Sequence, residues 1–181
     1  DTGIMAEAGV VMDVDSGAVI FSQNGHVAYP PASITKILTA LIVLEHASLD
    51  ETVTYSETAM NSVEADSGNK LSLAVGDQLT VEECLYALLL VSSNQTANAL
   101  AEHVAGSISA FVDMMNAKLT ELGCTESHFD NPSGLNGDTQ AVSALDMAKI
   151  AQAAYQNETL LAINSADSYR IDSTINNPDG V

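Results

Sequence analysis

Ser33 and Lys36 stand three residues apart in the run Pro30-Pro31-Ala32-Ser33-Ile34-Thr35-Lys36-Ile37-Leu38-Thr39-Ala40-Leu41-Ile42-Val43-Leu44. This run predicts a helix over about 33–46, entered through a Pro-Pro pair and apolar on nearly every side, hence a buried central element. A spacing of three puts the serine and the lysine on one helical face. A lysine at the buried start of such a helix must find a partner or lose its proton. A neutral lysine beside a serine hydroxyl is a general base beside a nucleophile. The plainer alternative is that Ser33 caps the helix and Lys36 reaches water.

A second polar cluster, Ser92-Ser93-Asn94, interrupts an otherwise apolar stretch. Thr80 and Glu83 form a capping box that opens a predicted helix over 80–91, with Val81, Cys84, Leu85, Leu88 and Leu89 at helical spacing. Another helix is predicted over about 95–105 and ends at Gly106, a C-terminal helix signal. The triplet is then a tight turn between two apolar helices, either an ordinary connection or one that projects its side chains into a cleft.

Taken together, the two motifs resemble those of the penicillin-recognising serine acyltransferases, whose signature is Ser-x-x-Lys, then Ser-Asp-Asn or a variant, then Lys-Thr-Gly. Within that superfamily the sequence is similar to the D-alanyl-D-alanine carboxypeptidases, the low-molecular-mass penicillin-binding proteins. The likeness is carried by Asp13-Val14-Asp15-Ser16-Gly17-Ala18-Val19-Ile20, by Pro31-Ala32-Ser33-Ile34-Thr35-Lys36 and by Leu88 through Ala97. Phe111-Val112-Asp113-Met114-Met115-Asn116 and the segment from Leu122 to Leu135 extend it. It runs over about 8–155, and Asn131-Pro132-Ser133-Gly134-Leu135 separates this family from class A β-lactamases.

The resemblance implies an α/β (α+β) fold of the β-lactamase/transpeptidase kind, an antiparallel five-stranded sheet with flanking helices plus an all-helical subdomain. This chain would supply the first two strands. Residues 1–47 would belong to the sheet subdomain with the nucleophile helix, 48–170 would be mainly helical, and 171–181 would return toward the third motif. Ser33, Lys36 and Ser92 would be catalytic as nucleophile, base and proton relay. Asn94 and Ser93 would bind substrate, and the Ser33 N–H would form half of an oxyanion hole. The implied substrate is a peptidoglycan stem peptide ending in D-Ala-D-Ala, with β-lactams as covalent inhibitors and no metal or organic cofactor. The implied location is extracytoplasmic.

Two departures stand beside this. No Lys-Thr-Gly or His-Thr-Gly occurs in the 181 residues, although Asp179-Gly180-Val181 matches what commonly precedes that motif. The expectation is a piece of a longer product, its sheet completed by a further segment or a partner chain. In Gln140-Ala141-Val142-Ser143-Ala144-Leu145-Asp146-Met147-Ala148, relatives often carry a histidine and an extra hydroxyl residue. Two other readings stay open: a β-lactamase, for which Glu126 or Asp130 would have to position water, and a catalytically incomplete module that only binds cell-wall peptides.

Composition bounds the rest. A hydrophobic content of 46% suits a globular domain, and aromatics at 4% leave aliphatic side chains and alanine to fill the core. A formal charge of −19, from 24 acidic against five basic residues, argues against nucleic acid and anionic lipid as partners. The same negative field opposes deprotonation of Lys36, so a nearby cation or strong desolvation is needed to free its lone pair. No secretory signal or membrane-length apolar run is present, as expected of a mature extracellular segment. Cys84 and Cys124 lack the clustering of a zinc site and read as buried free thiols in preference to a disulfide. Strands are predicted over 8–13 and 18–21 around a turn at 14–17, and further helices over 109–122 and 144–156, the last opened by Ser143. Residues 123–142, rich in Asn-Pro, Ser-Gly and Asn-Gly signals, read as one long functional loop along the active site.

Overall fold

Helix α1 (Lys36–His46) is the axis of the molecule, with Leu38 and 40–43 at most 3% exposed. It is entered through a 3₁₀ turn, Ala32–Thr35, so Ser33 sits on the turn and Lys36 on the first residue of the α-helix. The expected helix from Ser33 onward is corrected by that one tight turn. Its cause is local, because Ala32 has a φ of +49°, outside the range that continues a right-handed helix. The computed structural model describes residues 3–63, 67–135 and 137–181. Asn136, part of the Asn-Gly turn signal, lies outside the described residues.

Around α1 pack α3 (Val81–Leu90), α4 (Asn94–Ala105), α5 (Ile108–Glu121), α6 (Ala144–Tyr155) and α7 (Glu158–Asn164), while α2 (Glu57–Asn61) lies against α4. Their starts are chemically marked. Thr80 and Glu83 close the capping box of α3, and Ser93, Ser107, Ser143 and Asn157 accept from the backbone N–H three residues on to cap α4 through α7. Gly106 ends α4 in the left-handed conformation, at a φ of +78°. Cys84 and Cys124 are free and buried, and burial pushes both thiols up to about 12.

The strands are short. β1 (Gly9–Met12) pairs antiparallel with β2 (Val19–Gln23), with a bulge between Val11 and Met12. Two further ladders were not foreseen: β3 (Ala28–Tyr29) with β6 (Val142–Ser143), and β4 (Thr52–Thr54) with β5 (Gln78–Thr80). The first ties the segment leading into the Ser33 turn to the start of α6. Residues 171–181 fold back on themselves, Ile171 and Val181 exchanging both backbone hydrogen bonds at 2.8 and 2.9 Å. This return packs on the loop before β5, where Asn177 and Asn176 donate to the carbonyls of Leu71 and Ser72.

Candidate active site

Three segments build the site: the nucleophile turn, the connection between α3 and α4, and the long loop 123–142. Lys36 is 2% exposed, whereas Ser33 is exposed. The Lys36 ammonium donates to Ser33 Oγ at 3.3 Å and to the carbonyl of Ser133 at 2.9 Å. One turn further along α1, Thr39 donates to the carbonyl of Pro132 at 2.7 Å. The helix thus grips two successive carbonyls of the loop. Neither part of the plainer alternative holds, since Ser33 caps nothing and Lys36 does not reach water.

Burial removes Lys36 from water and disfavours its charged form, and the positive charge of Lys70 adds to the effect. Together they bring Lys36 down from the ordinary lysine value to about 8. An amine poised there keeps a substantial neutral fraction near neutral pH, as a general base requires.

The loop is shaped to lie this close. Asn131 Oδ1 accepts from the backbone N–H of Ser133 and Gly134 and from Ser133 Oγ, an asparagine-led turn. Gly134 has a φ of +85°, and a Cβ there would fall 1.8 Å from the carbonyl oxygen of Ala32. Two of the four non-glycine residues with positive φ among the described residues lie at the motifs. Ala32, preceding Ser33, and Ser92 itself, at a φ of +58°, are both in the left-handed region.

The second motif divides. Ser93 is buried and its Oγ accepts from both Thr96 N and Thr96 Oγ1, while Thr96 Oγ1 also shares a hydrogen bond with the hydroxyl of Tyr55. Its hydroxyl is used in capping α4 and holding the turn, so it faces inward, away from where a ligand would lie. Asn94 opens α4, buried, with an Oδ1 that has no partner. With Asn98, Asn131 and Ser133, whose carbonyl Lys36 bonds, it lines a polar cavity of about 160 Å³. Ser92 is half-buried and forms no side-chain hydrogen bond to Lys36 among the described residues. Of Ser33, Lys36, Ser92 and Asn94, only Ser33 and Lys36 share a side-chain hydrogen bond among the described residues. The ammonium is turned instead toward Ser133, a carbonyl acceptor that no side-chain motif announces.

Of the three acids in the long loop, Glu126 and Asp130 are engaged elsewhere. Glu126 pairs with His26 at 2.7 Å. Asp130 pairs with His128 and accepts from Thr139 N, Thr139 Oγ1 and Gln140 N, which hold its carboxyl below the usual range despite some desolvation. Neither bonds to Lys36 or Ser33.

With this geometry in hand, comparison with known proteins is direct. The model of the D-alanyl-D-alanine carboxypeptidase family matches residues 1–178. The chain belongs to that family. It is 38% identical over 165 residues to the D-alanyl-D-alanine carboxypeptidase DacB2 of Mycobacterium tuberculosis, covering 90% of this chain and 55% of that protein. Against DacF of Bacillus subtilis the identity is 35% over 158 residues, covering 86% and 40%. Among solved structures, the S216A mutant of Streptomyces K15 DD-transpeptidase superposes with a TM-score of 0.88 at 29% identity, over 98% of this chain and 72% of that one. The α/β fold expected from the motifs is thus the fold this chain has. The chain spans between 38% and 60% of the length of the curated relatives it matches.

Proposed function

We propose that the protein carrying this chain is a penicillin-binding serine D-Ala-D-Ala carboxypeptidase that trims peptidoglycan stem peptides. The observation that carries the reading is the buried Lys36 ammonium, 3.3 Å from an exposed serine hydroxyl and poised at about 8. In its neutral form Lys36 takes the proton of Ser33 as Oγ attacks the carbonyl between two terminal D-alanines. The Ser33 N–H faces the developing oxyanion. As the C–N bond breaks, the leaving amine takes a proton by way of Ser92, whose hydroxyl must turn toward Lys36 once ligand is bound. Water then hydrolyses the ester, regenerating Ser33 and releasing the trimmed peptide. The unpartnered Oδ1 of Asn94 is suited to a substrate amide N–H, and Ser93 serves the turn rather than the ligand.

Such a substrate lies outside the cytoplasmic membrane, so the protein acts there. No helix among the described residues is long and apolar enough to cross a membrane. The test is covalent labelling by a reporter penicillin, applied to the protein that carries this chain. One adduct is expected, on the peptide containing Ser33, and Ser33→Ala abolishes it. An adduct that persists in that variant removes Ser33 as the nucleophile.

A further inference from the structure

Residues 132–134 of the long loop lie along α1 in a fixed register. Pro132 offers its carbonyl to Thr39 at 2.7 Å, Ser133 offers its carbonyl to the Lys36 ammonium at 2.9 Å, and Gly134 packs against Ala32 and Thr35. Successive loop residues thus meet helix positions that step back toward the Ser33 turn. Thr39 is completely buried. A threonine inside a helix commonly turns its hydroxyl onto a carbonyl of its own preceding turn. Here the hydroxyl donates across to the loop instead. Pro132 has no N–H with which to be tied down, so its carbonyl is the main-chain handle that Thr39 takes. Asn131 holds the rest of the segment, accepting from the N–H groups of Ser133 and Gly134 and donating to the carbonyl of Leu135. The carbonyl that meets Lys36 is therefore held from both sides, by a helix hydroxyl on the preceding peptide and by an asparagine-led turn across the following one.

We propose that Thr39 is a positioning residue for acyl transfer, setting the register in which the Ser133 carbonyl takes one N–H of the Lys36 amine and leaves its lone pair for Ser33. The proposal rests on the reading of Lys36 as the base. A neutral amine carries two N–H donors and one lone pair in tetrahedral directions, and only the lone pair can accept the proton of Ser33 Oγ. Free to rotate about the Cε–Nζ bond, it would aim that lone pair anywhere. A carbonyl oxygen fixed 2.9 Å away engages one N–H and, having no proton to give, excludes the lone pair from its own direction. Ser33 Oγ lies 3.3 Å from the same nitrogen, so the lone pair has the serine proton within reach. The proton then passes from Oγ to Nζ, which becomes the ammonium. Thr39 acts on the amine through the loop: it holds Pro132, and the next carbonyl holds Nζ.

The test compares Thr39→Val, which keeps the shape of the side chain and removes the hydroxyl, with Thr39→Ser, which keeps the hydroxyl. Both are made in the protein that carries this chain, and thermal unfolding checks that each is folded at the assay temperature. The rate constant for acylation of Ser33 by a reporter penicillin is measured beside an NMR titration of Lys36, labelled with carbon-13 at Cε and assigned by its loss in Lys36→Met. A carbonyl acceptor favours the protonated amine, so its withdrawal in T39V should lower the Lys36 midpoint and leave more free base. Acylation should nonetheless slow by at least about fivefold, the size expected for one misplaced hydrogen bond. More free base with slower acylation is a pairing that neither a loss of stability nor a change of charge produces. T39S should return both readouts to those of the parent. Acylation in folded T39V at the parent's rate or faster overturns the proposal, and so does an unmoved Lys36 midpoint. The titration needs no turnover, so it judges the register even where penicillin labels nothing, an outcome that counts against the reading of the site.

Discussion

A buried lysine that works as a base stores a cost in the folded state. Below about pH 8 Lys36 is protonated in both folded and unfolded chains, and the folded one bears the full desolvation penalty. Between about 8 and the ordinary lysine value the folded chain holds a neutral amine while the unfolded chain still binds the proton, so stability rises with pH across that window. Above it the penalty is gone. At about 1.36 kcal/mol per unit the depression corresponds to about 3 kcal/mol, reduced by whatever the bond to the Ser133 carbonyl returns. Lys36→Met should therefore abolish acylation yet raise stability at neutral pH by about 1–3 kcal/mol. It should also flatten the rise toward pH 10. Urea unfolding at pH 7 and pH 10 checks both, and a variant less stable than the parent at pH 7 would show that the lysine's hydrogen bonds outweigh its desolvation.

At the scale of elements, the site is a contact between a loop and a turn, made possible by a missing side chain. Gly134 combines a φ of +85° with a backbone carbonyl where its Cβ would go. Gly134→Ala should therefore push the 131–135 segment off Ala32 and pull the Ser133 carbonyl away from Lys36. A loss of about 1–3 kcal/mol is expected from overpacking alone, together with slower penicillin acylation. Unchanged acylation kinetics would show that the loop does not position the base. Much of this architecture was legible in the sequence, because a helical period and a polar cap announce themselves locally. The spans 80–91, 95–105, 109–122 and 144–156 differ from α3 to α6 by a residue at the ends, and the capping box at Thr80 forms as read. What escaped was non-local or too short to have a period: the β3–β6 and β4–β5 ladders of two and three residues a strand, α2, and α7 despite its Asn157 cap. Within the site, Ser33 and Lys36 were legible as a spacing. The partner of Lys36 was not, since it is a main-chain carbonyl 97 residues away, and Lys70 reads in sequence as one more polar loop residue.

The whole chain sets the Ser33–Lys36 pair and one wall of a cleft on very little sheet. β1 and β2 pair only with each other, so among the described residues each strand leaves one edge unpaired. An apolar groove of about 550 Å³ runs between β1 and α6, lined by Val10, Tyr29, Ile34, Met147 and Ala151. A two-stranded ribbon is marginal by itself, and here it is steadied by α6, whose Gln152 donates to the carbonyl of Val14 at 2.8 Å. No Lys-Thr-Gly occurs in the 181 residues, and on the proposed reading the Ser33 N–H supplies only half of the oxyanion hole. Loss of one oxyanion donor alone lowers a rate by on the order of a hundredfold or more. The expected outcome is that the 181-residue chain folds and titrates Lys36 near 8 but releases D-alanine at least about a hundredfold more slowly than the same chain extended by a relative's Lys-Thr-Gly segment. Release of D-alanine from a pentapeptide, measured on both proteins at equal concentration, decides it. Comparable turnover would mean that the groups already present in the 181 residues suffice without a Lys-Thr-Gly strand.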